Sequence, residues 1–332
     1  MPPSLCPHFQ EKILSATGAS MFEVVEVVQE LWSGYGQILR LRLDGDSQVV
    51  VKHIRMSATA SHPRGWNSNL SHQRKLKSYQ VETAWYCHWS QNCGPNTRIP
   101  ELLGFDRHNG EILLILEDLD ASGFPSRLTP NATPNATPTD AIRACIDWLA
   151  NFHASFMGVE PTHLWKTGTY WHLATRSEEL ASLGDNELKK AAPTLDQILT
   201  SAAHQTLVHG DAKLANFCFS KSGNDVAAVD FQYVGGGCGM KDLAYFIGSC
   251  LDESSYEKKE NEFLDQYFVT LCRNISINRP DLDPKAIETE WRELYPVAWT
   301  DFYRFLKGWS PDHWKINSYS ERLTREVVAS LQ

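Results

Sequence analysis

Leu207-Val-His-Gly-Asp-Ala-Lys-Leu-Ala-Asn-Phe-Cys-Phe219 is the stretch on which the reading of this chain turns. Leu207 and Val208 make an apolar, strand-like entry into the polar turn His209-Gly210-Asp211, and Asn216 follows five residues after the aspartate. A second short apolar strand, Ala227-Ala-Val-Asp230-Phe231-Gln232, ends in another carboxylate nineteen residues after Asp211. Two strand ends of this kind set their polar residues on one edge of a cleft. The residue types suit one chemistry. A carboxylate near an acceptor hydroxyl orients it and takes its proton, while a carboxamide and a second carboxylate offer hard oxygen ligands to Mg2+ on nucleotide phosphates.

Outward from these loops, the chain of 332 residues is long enough for two lobes of roughly 100–200 residues each. Acidic residues outnumber basic ones, 40 to 31, and the net charge of −9 disfavours sequence-independent binding to nucleic acid. Hydrophobic residues at 42% and charged residues at 21% are the balance of a folded globular protein. No uncharged apolar run approaches the roughly 20 residues of a membrane helix. The N-terminus lacks the basic start and apolar stretch of a secretory signal. Eight cysteines without a C-x-x-C pair read as reduced thiols of a cytoplasmic protein, not as a disulfide frame or zinc site. The sequons at Asn131 and Asn135 then read as ordinary polar loop.

The first third reads as strands: Phe22 to Leu31, Gln37 to Leu43 and Gln48 to Ile54, the last two around the Asp44-Gly45-Asp46 turn. Leu102 to Asp106 and Glu111 to Leu116 flank a second turn, His108-Asn109-Gly110. Between them Leu76, Tyr79, Thr83 and Tyr86 step by three and four, predicting one helix from Arg74 to Gln91. Ala121 to Pro138, rich in Pro, Thr, Asn and Ser, reads as a connector. It ends in a helix start with Thr137 as N-cap, Pro138 at the first helical position and Asp140 as the acidic half of a capping box. Ile142, Cys145, Ile146, Leu149, His153 and Phe156 then share one face. Apart from residues 206–230, most of the remaining chain reads as helical.

The two loops resemble the H-G-D-x-x-x-x-N and D-F/W-x motifs of the aminoglycoside phosphotransferase and choline kinase superfamily, and the chain is most similar to its ecdysteroid-kinase-like branch. Ile115-Leu-Glu-Asp-Leu119, His153-Ala154 and Asp242-Leu-Ala-Tyr-Phe246 belong to the same match, which runs from about Leu31 to Ile247. The resemblance implies an α+β, protein-kinase-like two-lobed fold. An antiparallel-sheet, nucleotide-binding lobe would span residues 1–119, a connector 120–138, and a mainly helical lobe with the acceptor pocket 139–332. It also implies ATP- and Mg2+-dependent phosphorylation of a small-molecule alcohol, with neither nucleic acid nor membrane as partner.

By the same resemblance Asp211 is the base, and Lys213 is the cation against the transferring phosphoryl group. Asn216 and Asp230 hold the metal. Lys52 holds the phosphates and is set by Glu82. Gly34 and Gly36 belong to a phosphate-covering loop, Ser33-Gly34-Tyr35-Gly36, although G-x-G-x-x-G is not met. Glu117 to Leu119 form the hinge whose backbone meets the adenine. Gly210 in place of Arg, Gln232 in place of Gly and the missing Ala-Pro-Glu segment depart from protein kinases and disfavour protein substrates.

Other positions carry two readings each. Lys52 in Val49-Val-Val-Lys-His-Ile54 either has a buried partner or faces solvent from an edge strand. His209 reads as a brace, His153 as a core histidine, Asp242 as an N-cap or brace, and Arg74-Lys-Leu-Lys77 as a solvated helix start. Trp165 to Leu173 either packs against the helical lobe or walls the acceptor pocket. Trp291, Tyr295, Trp299, Phe302, Tyr303, Leu306 and Trp309 are either core or a groove suited to a cationic or amphipathic alcohol. A nucleotide-binding module without turnover is the rival from another class, and a protein kinase a third reading.

Overall fold

The computed structural model describes residues 5–31, 34–55, 69–128 and 138–331. Trp32, Ser33, Thr137 and both sequons lie outside them. Five strands, β1 (Phe22–Glu30), β2 (Gly36–Leu43), β3 (Gln48–Arg55), β4 (Leu102–His108) and β5 (Glu111–Glu117), form one antiparallel sheet in the order β1-β2-β3-β5-β4. Side chains alternate across a strand, and β3 obeys this residue by residue. Val49 and Val51 join Leu39, Leu41, Leu113 and Ile115 beneath α1 (Pro7–Thr17), whose Phe9 and Ile13 are fully buried there. Lys52 and Ile54 turn to the opposite face, where Ile54, Ile112, Leu114 and Leu116 belong to the main core. The reading of the first third as strands alone passed over α1, although Leu5, Phe9 and Ile13 recur every four residues.

The helix expected from Arg74 starts earlier and changes its winding. α2 (Asn69–Ala84) passes into a π turn at Trp85–Trp89 and a 3-10 turn at Ser90–Asn92. The wider turn lets Trp85 and Tyr86 both be buried. Trp85 stacks on Phe231 with ring centres 4.5 Å apart and planes 13° off parallel. Such a pair adds roughly 0.5–1.5 kcal/mol to the burial of its area.

The rest is largely helical: α3 (Thr139–Ser155), α4 (Ser177–Ser182), α5 (Asn186–Thr200), α6 (Met240–Cys250), α7 (Glu253–Asn278), α8 (Pro284–Trp309) and α9 (Ser318–Ser330). Pro138 is the N-cap of α3, one residue before the position expected of it, and makes no side-chain cap. Short strands interrupt the helices: β6 (Ser126–Arg127), β7 (Thr206–Val208), β8 (Phe217–Phe219), β9 (Val226–Ala228) and β10 (Gly235–Gly237). β7 pairs with β10, and β8 with β6 and β9, all antiparallel. The fold is thus the α+β, kinase-like arrangement of a sheet lobe on a helical lobe. All eight cysteines are free. No helix among the described residues is long and apolar enough to cross a membrane.

Candidate active site

Between sheet and helices lies a cleft of about 1220 Å³. Lys52, Lys75, Glu82, Asp211, Asn216 and Asp230 line one part of it, and Tyr170, Tyr245, Phe302, Phe305 and Trp309 another.

The loop after β7 is held at several points. Gly210 has φ +80°, and a Cβ there would stand 2.1 Å from the Tyr233 carbonyl oxygen, so neither arginine nor any other side chain fits. The Asp242 carboxylate accepts the backbone N–H groups of His209 at 2.5 Å and Gly210 at 2.9 Å. That makes Asp242 a brace, with His153 Nε2 3.2 Å from it. His153 Nδ1 is 2.7 Å from the Tyr267 hydroxyl, so this histidine is a satisfied core residue. His209 Nε2 lies 3.0 Å from the Val229 carbonyl, which can only accept, so this nitrogen carries the proton. Nδ1 then accepts the Asp211 N–H at 3.3 Å, and one imidazole ties the two loops together.

Asp211 is buried and held by three side chains. Asn216 Nδ2 donates to its backbone oxygen at 2.8 Å and to Oδ2 at 3.1 Å. Lys213 Nζ donates to Oδ2 at 2.9 Å, and the Tyr245 hydroxyl to Oδ1 at 3.2 Å. Burial alone would lower the Lys213 ammonium, but Asp211 and Asp230 outweigh it and raise it. Asp230 sits at φ +68°, uncommon for a non-glycine residue and costing on the order of 1–3 kcal/mol. Burial pushes its carboxyl up, yet Lys52, Lys213 and Lys75 together hold it below the ordinary range.

Lys52 is 4% exposed, and its Nζ is 2.7 Å from the buried Glu82 carboxylate and 3.7 Å from Asp230. The solvent-facing alternative is excluded. Burial opposes the Lys52 charge, and Glu82 and Asp230 more than restore it. The hinge stretch lines the cleft with Glu117, Asp118 and Leu119. Glu117 pairs with Arg98 and accepts the Glu101 N–H at 3.0 Å, while Asp118 accepts from Arg40 Nε at 2.6 Å. Gly34 and Gly36 do not line the cleft. They make the turn into β2, where a Cβ on Gly36 would stand 2.0 Å from the His53 carbonyl oxygen. Tyr35 between them faces the cleft, with its hydroxyl on His72.

Arg74-Lys-Leu-Lys77 is not a solvated helix start. Lys75 Nζ donates to Gln232 Oε1 at 2.7 Å, and Arg74 to the Thr175 carbonyl at 2.7 Å. Burial brings the Lys75 ammonium down to about 8. The signal was helical phase: Lys75, Tyr79 and Glu82 step by four and three along one face of α2. Of Trp165 to Leu173, Tyr170 lines the cleft while Trp171 is wholly buried. The aromatic helix α8 divides likewise. Trp291, Tyr295 and Trp299 are core, whereas Phe302, Phe305, Leu306 and Trp309 reach the cleft. Sequence reasoning missed Tyr245 as a partner of Asp211, and it missed Lys315 altogether.

Fold and loops together give a kinase-like framework. The model of the ecdysteroid kinase-like family matches residues 166–277, the stretch that contains both loops. No curated protein sequence matches the chain. Among solved structures, amicoumacin kinase hAmiN, in complex with AMP-PNP, Ca2+ and Ami, is similar at a TM-score of 0.52 and 13% identity, over 97% of this chain and 92% of that one. A microcompartment-associated aminopropanol kinase gives 0.48 at 13% identity, covering 97% and 94%. Choline kinase LicA from Streptococcus pneumoniae gives 0.43 at 14% identity, covering 98% and 97%. The ecdysteroid kinase-like match over residues 166–277 agrees with the resemblance drawn from the motifs, and the likeness to amicoumacin kinase, at 13% identity, speaks to the fold alone.

Proposed function

We propose that this chain is an ATP- and Mg2+-dependent kinase that phosphorylates the hydroxyl group of a small molecule. The observation that carries the reading is the Asp211 carboxylate, held by Lys213, Asn216 and Tyr245 in the same cleft as Asp230 and the Lys52–Glu82 pair. Asp211 would accept the proton of the acceptor hydroxyl as it attacks, and Lys213 would balance negative charge on the transferring group. Lys52, fixed by Glu82, and Lys75, fixed by Gln232, would hold phosphate oxygens. The neutral His209 would keep the two loops in register without moving a proton.

Asn216 and Asp230 fit a magnesium ion. They offer one carboxamide and one carboxylate oxygen set, and Asp230 Oδ1 is buried without a hydrogen-bond partner. Such an ion would neutralise charge that develops on the phosphates during transfer. Transfer would be direct and in line, with Asp211 acting as base to the acceptor hydroxyl rather than taking the phosphate itself. The test is ATP consumption across a library of small alcohols, with and without Mg2+, for the chain and for Asp211→Asn. Acceptor-stimulated, magnesium-dependent turnover that Asp211→Asn abolishes supports the reading. Consumption that no acceptor stimulates, or that survives Asp211→Asn, overturns it.

A further inference from the structure

Lys315, in the loop between α8 and α9, is 7% exposed and lines the cleft. Its ammonium lies 4.7 Å from the Tyr245 ring centre, 5.3 Å from that of Phe302 and 5.6 Å from that of Trp314. Among the described residues it forms no ion pair, and its Nζ makes no hydrogen bond. Ring faces attract a cation, but they leave its N–H donors largely unmet. Asp211 acts in favour of the Lys315 charge, but no carboxylate among the described residues pairs with it. Arg176 is itself a cation, already paired with Glu179 at 2.8 Å. Lys213 repels, and Asp211 is already held by three side chains.

From this geometry we infer that the acceptor is an amphipathic alcohol that also carries a carboxylate, the acid seated on Lys315 and the hydroxyl at Asp211. The inference rests on the kinase reading above. Tyr245 sets the spacing, because its hydroxyl donates to Asp211 while its ring lies against the Lys315 ammonium. Tyr170, Phe302, Phe305 and Trp309 offer apolar surface for the body of such a molecule. The cationic alcohol that the ring pattern and acidic composition suggested is disfavoured, because the protein's own ammonium occupies the cage. Burial brings Lys315 down to about 7, as expected of a cation whose counter-ion the chain does not supply.

A panel of ω-hydroxy and hydroxymethyl-aryl carboxylic acids, each beside its methyl ester and its primary-amine counterpart, tests this. Binding is read by calorimetry and transfer by ADP release, for the chain, Lys315→Met and Lys315→Arg. The acids should bind at least about tenfold tighter than their esters, with the amines weakest. Lys315→Met should erase the gap between acid and ester, and Lys315→Arg should keep it. Esters or amines binding as well as acids, a gap that survives Lys315→Met, or no acid in the panel binding would each overturn the inference. Lysine-dependent acid binding with no ADP release from any acceptor would uphold the acidic subsite and refute the kinase reading. Equal ADP release from acids and esters would do the reverse.

Discussion

The two parts of the cleft treat buried lysines in opposite ways. Where phosphates are expected, the buried Lys52 stands 2.7 Å from Glu82 and the partly exposed Lys213 donates to Asp211 at 2.9 Å, so the chain supplies their counter-charges, while Lys75 leans on the neutral Gln232 amide. Where the acceptor is expected, Lys315 is buried among rings and has no such partner. Burying an unpaired charge is costly, and a group so placed drifts toward its neutral form. The contrast separates Lys52 and Lys213, whose counter-charges the chain provides, from Lys315, whose charge balance a ligand has to complete.

The sharpest way to break the comparison is at Asp211. Asp211→Asn should lower turnover by roughly 10²–10⁴-fold with ATP affinity little changed. Near-normal turnover in a folded variant would remove the base from its role.

Asp230→Asn keeps shape while discarding an anionic ligand. Mg-ATP affinity should fall by at least about tenfold, and affinity for metal-free ATP much less. Equal losses in calorimetric titrations would make Asp230 a structural residue.

At the paired lysine, Lys52→Met should raise the ATP requirement about tenfold and slow turnover, since methionine fills the apolar stem without the charge. Glu82→Gln should give a milder form of the same defect. Steady-state kinetics over an ATP series decide it, and a stronger effect from Glu82→Gln would reverse the assigned hierarchy.

The last effect belongs to the unpaired lysine and concerns stability. Burial lowers Lys315 from 10.5 to about 7, against Asp211 and Cys250, which favour its charge, and with Lys213, which opposes it. Between those values the unfolded chain keeps a proton that the folded chain has released. Stability contributed by this site therefore rises with pH from about 7 upward and is lowest below it. Measured by urea unfolding, the chain should gain about 3 kcal/mol relative to Lys315→Met between pH 6 and pH 9. Parallel profiles for the two proteins would mean that Lys315 stays charged without help.

Much of this was legible because its signals are local. Asp211, Asn216 and Asp230 sit at strand ends marked by short apolar runs, and the sheet is announced by paired turns. Lys52 was found by a partly mistaken argument. Four apolar neighbours suggested its burial, yet Val49 and Val51 pack beneath α1 on the other face. Glu82 and Lys75 share a helix face, and only the first was read from it. Lys315 lies in a loop without periodicity, and its cage comes from Tyr245 on α6, Phe302 on α8 and the neighbouring Trp314, so tertiary structure alone assembles it.

α2 is tied to the helical lobe at several points, and to the sheet lobe through the Tyr35–His72 hydrogen bond and the Lys52–Glu82 pair. Arg74 holds the Thr175 carbonyl, Lys75 holds Gln232, and at the far end Trp85 lies flat on Phe231. Glu82 therefore sits on an element anchored in the larger lobe, while Lys52 sits on the sheet. If the cleft widens by a tilt of the sheet, Lys52 is drawn off Glu82, and two opposite charges separate where water is scarce. The ion pair would then act as a latch, engaged only when the two lobes are closed on each other.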